Sequence, residues 1–226
     1  MSAKYGCLII HGFAGGVQDV APLADFLTGA GHEVVCSRLP GHTGMSSDLG
    51  NAGYRDWIDS PERDLLDLRA KCDRVALVGF SMGGLIAVNL AVRHDVESAI
   101  LLNTPIHYWN AKRMAVNIIH DLKTCDLANI RRYCRGTVNH PPLRALLNFL
   151  LILRQTKALL PKVTCPVLVG QALKDDVVQP GSADVIFDSV SSKRKVIRLY
   201  TNSEHLLFHS PDKDNAIADV AEFIAA

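Results

Sequence analysis

Ser81 stands in Gly79-Phe80-Ser81-Met82-Gly83, between the apolar run Val75-Ala76-Leu77-Val78 and the helical pattern Gly84-Leu85-Ile86-Ala87-Val88-Asn89-Leu90. A G-x-S-x-G pattern in this strand, sharp turn and helix setting is a nucleophile elbow. The turn forces the serine into a strained backbone conformation. Positions two before and two after it then crowd together and tolerate little more than hydrogen, which Gly79 and Gly83 supply. The hydroxyl is lifted out of the sheet edge, and the helix beginning at Met82 points N–H groups and a partial positive charge at the same place.

A serine hydroxyl is a poor nucleophile until an imidazole takes its proton, and the imidazole needs a carboxylate to hold its tautomer. In this setting the partners follow in the order serine, acid, histidine, which excludes His11, His32, His42, His94, His107, His120 and His140 as the base. His205 and His209 remain. His205 lies in Thr201-Asn202-Ser203-Glu204-His205, directly after a strand ending at Tyr200, where a base can reach back over the sheet. His209, nearer the final helix, suits a surface or capping role. For the acid, Asp175-Asp176-Val177-Val178-Gln179-Pro180 follows the strand-like Val167-Leu168-Val169. Packing of Val177 and Val178 turns Asp175 toward the histidine and leaves Asp176 as its solvated neighbour.

An oxyanion needs two N–H donors. Met82 offers one, and Phe13, in His11-Gly12-Phe13-Ala14-Gly15-Gly16, offers the other. His11 and His42 are then expected to be structural. The glycine-rich turn lacks the spacing of either nucleotide-binding fingerprint, so no cofactor is indicated.

The elements that must position these groups alternate. Strand-like runs Gly6–Ile10, Glu33–Ser37, Arg74–Val78, Ser98–Leu102, Pro166–Gly170 and Lys195–Tyr200 are separated by helical patterns at Val17–Gly29, Asp56–Lys71, Met82–His94 and Ser182–Val190. A last helical pattern spans Asp212–Ala225. Such alternation predicts a parallel, doubly wound sheet, and the unbroken apolar strands predict cover on both faces. Between Asn103 and Pro161 the alternation stops. Residues 1–103 and 162–226 are expected to form the core, with 104–161 an inserted helical cap broken at Pro141-Pro142. The apolar stretch Leu143–Arg154 suits a helix that packs below and lines a cavity above, with Leu147 and Leu150 as candidate substrate contacts.

Composition narrows the function classes. Twenty-four Lys and Arg against 23 Asp and Glu give a net charge of +1, so no general field draws the chain to nucleic acid or an anionic membrane. The basic run Ile130–Arg135 is short and suits a solvated helix face. No segment approaches the roughly 20 apolar residues of a membrane span, and the N-terminal apolar run stops at His11, too early for a secretion signal. Six cysteines without zinc-like or CxxC spacing suit reduced thiols of a cytoplasmic protein. Oligomeric state has no signature.

Taken together, His11-Gly12-Phe13, Gly79-Phe80-Ser81-Met82-Gly83, Asp175 in D-x-V-V-x-P and Ser203-Glu204-His205 give the chain, over nearly its whole length, a resemblance to α/β-hydrolases. It is most similar to small bacterial carboxylesterases and monoacylglycerol lipases. The resemblance implies an α/β-hydrolase fold with a small helical cap over an acyl pocket and no metal or organic cofactor. It also implies Ser81 as nucleophile, Asp175 as acid, His205 as base, and Phe13 and Met82 as oxyanion donors. A small-molecule ester of short to medium acyl chain, monoacylglycerols included, is the expected substrate. Thioester, carbon–carbon and amide hydrolysis on the same residues, and a non-catalytic ligand-binding role, are the alternatives. Two departures stand out: Glu204 replaces the usual glycine before the histidine, and the antiparallel starting hairpin is absent.

Overall fold

Strand Tyr5–Ile10 (β1) has no charged side chain, and its successive residues point to opposite faces of the sheet. Leu8 and Ile10 join one hydrophobic core and Cys7 and Ile9 the other. The same split recurs in Arg74–Phe80 (β3), where Val75 and Leu77 oppose Ala76, Val78 and Phe80. Strands Ser98–Leu102 (β4) and Val167–Ala172 (β5) repeat it, so the middle of the sheet is buried on both sides. Glu33–Ser37 (β2) and Lys195–Tyr200 (β6) form the less buried edges. The computed structural model describes residues 5–107 and 141–226. Among them the strands form one parallel sheet in the order β2-β1-β3-β4-β5-β6.

Two helices, Ala21–Gly29 (α1) and Lys213–Ala225 (α7), cover one face through Leu23, Leu27, Val220 and Phe223. The other face carries Ser46–Asn51 (α2), Tyr54–Arg69 (α3), Met82–Arg93 (α4), Leu143–Leu159 (α5) and Gly181–Ser189 (α6). This is the parallel, doubly wound architecture expected of the alternation. The chain leaves β1 for β2 on one side and returns to β3 on the other. The loops leaving the carboxyl ends of β1 and β3 therefore diverge and open a crevice between them. Ile10 and Gly79 are paired there, so the His11–Gly16 loop and Ser81 flank the same opening.

Three of the differences from the sequence expectation have a local cause or consequence. The pattern at Val17–Gly29 is a 3-10 turn, Val17–Asp19, followed by α1, because Pro22 lacks an N–H and suits only a first helical turn. Helix α2 carries no amphipathic pattern, with Leu49 as its one buried side chain. Strand β3 runs two residues further than Val78 and delivers the chain directly to Ser81.

Of the expected insertion, residues 108–140, including the basic run Ile130–Arg135, lie outside the described residues. Helix α5 starts immediately after Pro141-Pro142 and sets Ala145, Phe149, Ile152 and Leu153 into the core. Each such burial is worth on the order of 1.5–3 kcal/mol for the larger side chains. A buried polar seam fixes its angle on α4: Asn89 Nδ2 donates to Thr156 Oγ1 at 2.9 Å and Gln155 Nε2 donates to Asn89 Oδ1 at 2.6 Å. No helix among the described residues is long and apolar enough to cross a membrane.

Candidate active site

Ser81 has φ +53° and ψ −122°, a conformation L-residues rarely adopt. Its N–H donates to Leu102 O at 2.8 Å and its carbonyl accepts from Gly84 N–H at 2.9 Å, so the strain is pinned by β4 and by α4. A Cβ at Gly79 would be driven into the Gly83 carbonyl, and one at Gly83 into Ile10 O. Both positions are thus restricted to hydrogen, as the pattern required. Helix α4 starts at Met82, which is fully buried.

His205 lies in the loop after β6, and its ring bridges two partners. Its Nδ1–H donates to Asp175 Oδ2 at 2.8 Å, which leaves Nε2 as the acceptor facing Ser81 Oγ at 3.1 Å. The other oxygen of Asp175 accepts the N–H groups of Val177 and Val178, both at 2.8 Å. Asp175 is therefore 3% exposed, while Asp176 is partly exposed at the cavity mouth. Of the two aspartates and two histidines left open by the sequence, the structure brings Asp175 and His205 to Ser81. The His209 ring is exposed and donates through Nε2 to Gln18 O at 3.1 Å.

The loop after β1 passes against Ser81: a Cβ on Gly12 would lie 3.1 Å from Ser81 Cβ and 3.5 Å from Ser81 Oγ. Gly12 and Phe13 line the same cavity as Ser81. Ala14, fully buried, takes φ +56° to let the loop turn. Below it His11 donates through Nδ1 to Gly12 O at 2.9 Å and is buried, which pushes its pKa below the usual histidine value. His42 donates through Nδ1 to Pro40 O at 3.1 Å, and its ring contacts those of His11, Phe13 and Trp57. Burial, and then the neighbouring His11, push the His42 pKa down to about 4. Both rings are neutral supports of the loop.

A cavity of about 170 Å³ opens over Ser81 and His205. Phe13, Phe80, Phe149, Val177 and Leu206 supply its apolar wall, and Asp19, Asp176, Glu204 and Ser210 line its polar part. Leu147 and Leu150 are not among the lining residues; they are 53% and 37% exposed on the outer side of α5. Phe149 of the same helix reaches the cavity instead, with its ring centroid 5.4 Å from that of Phe13. A helix's apolar residues divide between faces according to how it docks, and the all-round greasy pattern of α5 concealed that division. Among the described residues, no group of three or more His, Cys, Asp or Glu is gathered as metal ligands would be.

Residues 7–219 match the sequence model of the Alpha/beta hydrolase family. The chain is 31% identical to a thermostable monoacylglycerol lipase of Bacillus sp. (strain H-257), over 97% of this chain and 90% of that one. It is 22% identical to a carboxylesterase of Bacillus subtilis (strain 168), over 96% and 91% of the two chains. In shape it is similar to a structure from work on the metagenome-derived lipolytic enzymes LipS and LipT, with a TM-score of 0.84 and 24% identity over 99% and 94% of the chains. A soluble variant of the Saccharomyces cerevisiae monoglyceride lipase, in complex with a substrate analogue, superposes with a TM-score of 0.77 at 16% identity, over 99% and 87% of the chains.

Proposed function

This chain belongs to the alpha/beta hydrolase family and is a carboxylester hydrolase, and from that premise we propose that it cleaves short to medium acyl esters, monoacylglycerols among them, through an acyl-Ser81 intermediate. The observation that carries the proposal is the chain of contacts from Ser81 Oγ to His205 Nε2 at 3.1 Å and from His205 Nδ1 to Asp175 Oδ2 at 2.8 Å.

Ser81 Oγ attacks the ester carbonyl carbon while His205 Nε2 takes its proton, and Asp175 stabilises the imidazolium that forms. The carbonyl oxygen, now negative, sits between the N–H groups of Phe13 and Met82. The carbon–oxygen bond to the alcohol breaks as His205 returns the proton to it. Water then attacks the acyl-serine by the same route, releasing the acid and restoring Ser81.

The substrate range is supported by the apolar wall and by the cavity's size, below the roughly 300–1,000 Å³ of clefts that hold drug-sized ligands. The monoacylglycerol lipase of Bacillus sp. (strain H-257), similar along nearly the whole chain, supports the glyceride part of the reading. We assign residues 104–161 to a cap, with Phe149 as the residue it sends to the acyl site. A cytoplasmic location accords with Cys7, Cys36 and Cys165 being free thiols.

Hydrolysis of p-nitrophenyl esters of graded chain length and of monoacylglycerols, together with fluorophosphonate labelling, tests the proposal in wild type and Ser81→Ala. Turnover and labelling that both vanish in Ser81→Ala are expected. Turnover that survives in Ser81→Ala would remove Ser81 as the nucleophile.

A further inference from the structure

Asn103 follows β4 immediately, is fully buried, and holds φ +45° although it is not glycine. Its N–H and both ends of its side-chain amide are committed to β5 and to the loop bearing His205. Its N–H donates to Gly170 O at 2.8 Å, and its Oδ1 accepts from Ala172 N–H at 2.8 Å, so it grips the end of β5 from which the Asp175 loop departs. Its Nδ2 donates to His205 O at 2.8 Å. The residue before it, Leu102, supplies the carbonyl that accepts Ser81 N–H. The amide orientation is not free, because Ala172 N–H can meet only an oxygen and His205 O only an N–H.

We infer that Asn103 is a positioning residue for the reacting groups, setting the His205 ring between Asp175 and Ser81 by holding the His205 carbonyl. The inference rests on the reading of Ser81, His205 and Asp175 given above. His205 belongs to no strand, so nothing in the sheet ladder fixes its backbone. Its carbonyl is held by Asn103 Nδ2 and by Leu207 N–H, the latter at 2.8 Å and only two residues along the same loop. The long-range tether of that carbonyl is therefore Asn103. Tilting that peptide swings the Cα–Cβ direction of His205, and a ring bonded on opposite edges cannot shift without lengthening a bond to Asp175 or to Ser81. Glycine would adopt φ +45° without strain. What an asparagine adds is the pair of side-chain bonds.

The test compares Asn103→Asp, nearly isosteric but with an oxygen facing His205 O, and Asn103→Gly, free of backbone strain but without the tether. Turnover of a p-nitrophenyl ester is measured per site titrated to completion with a fluorophosphonate, so unfolded protein does not count. For both variants kcat per titrated site falls about 10–100-fold while KM stays within about threefold, as expected when reacting groups are misplaced by ~1 Å. A merely structural asparagine would lower the number of titratable sites and leave turnover per site unchanged, and that result in either variant overturns the inference. Ser81→Ala run in parallel separates the two readings. If it retains wild-type turnover, the assignment of the nucleophile fails first; if it is inactive while the Asn103 variants turn over normally per site, only the role of Asn103 fails.

Discussion

The backbone N–H of Lys174 donates to the carbonyl oxygen of Ser203 at 3.1 Å, which fastens the loop bearing Asp175 to the loop bearing His205. Ser203 is in turn locked to the start of α7. Its hydroxyl donates to Asp212 Oδ2 at 3.1 Å and accepts from Asp212 N–H at 3.0 Å. Ser203→Ala removes both side-chain bonds and leaves an N–H with no partner in a buried place. A loss of about 1–3 kcal/mol in urea unfolding, accompanied by lower kcat, is expected.

Asp175 and Asp176 are adjacent in sequence and opposite in environment. Asp175→Asn presents an amide to the imidazole in place of a charge and favours the wrong tautomer, so kcat should fall by about four orders of magnitude. Asp176→Asn touches only the rim and should stay within about tenfold of wild type. Steady-state kinetics on one ester decides the point, and the reverse ranking would move the acid to Asp176.

His42 gives the fold a specific acid sensitivity. Its folded pKa of about 4 lies below the 6.5 of a free histidine, so below pH 6.5 the unfolded chain takes up the proton first. Stability therefore declines as pH drops from 6.5 towards 4, and the decline levels off below that. His42→Gln removes the proton site while keeping a side-chain amide donor within reach of Pro40 O. Urea midpoints measured between pH 7 and pH 4.5 should fall less steeply in the variant; parallel slopes would show that His42 does not govern this range.

Phe149 forms part of the apolar wall of the cavity, whereas Leu147 and Leu150 face outward. Phe149→Leu removes ring volume beside Phe13 and should shift the chain-length optimum toward longer acyl groups, read as the ratio of kcat/KM for longer over shorter esters. Leu147→Ala and Leu150→Ala should leave that ratio unchanged. A shift caused by the leucines instead would restore them as substrate contacts.

The elbow around Ser81 was open to inspection in the sequence because its requirements are local. A strand, a strained turn and a helix follow one another, and the two glycines meet clashes that lie within a few residues of each other or at the next strand. That Cys7–Ile10, Val75–Val78 and Val167–Val169 are interior strands was legible for a related reason: unbroken apolar runs cannot be edge strands facing water. The order of serine, acid and histidine narrowed the base to His205 or His209, and packing of Val177 and Val178 distinguished Asp175 from Asp176.

What required the tertiary structure is everything decided by direction across space. The bond from Asn103 to His205 O spans residues 102 positions apart and leaves no periodicity or motif. In the sequence Asn103 marked only where the alternation ended. The choice of Phe149 over Leu147 and Leu150 depended on the rotation of α5 about its axis, which the seam of Asn89, Gln155 and Thr156 sets after α5 meets α4. Local sterics wrote the elbow at Ser81 into the chain. The placement of Asp175 and His205 against it came from hydrogen bonds between segments far apart in the sequence.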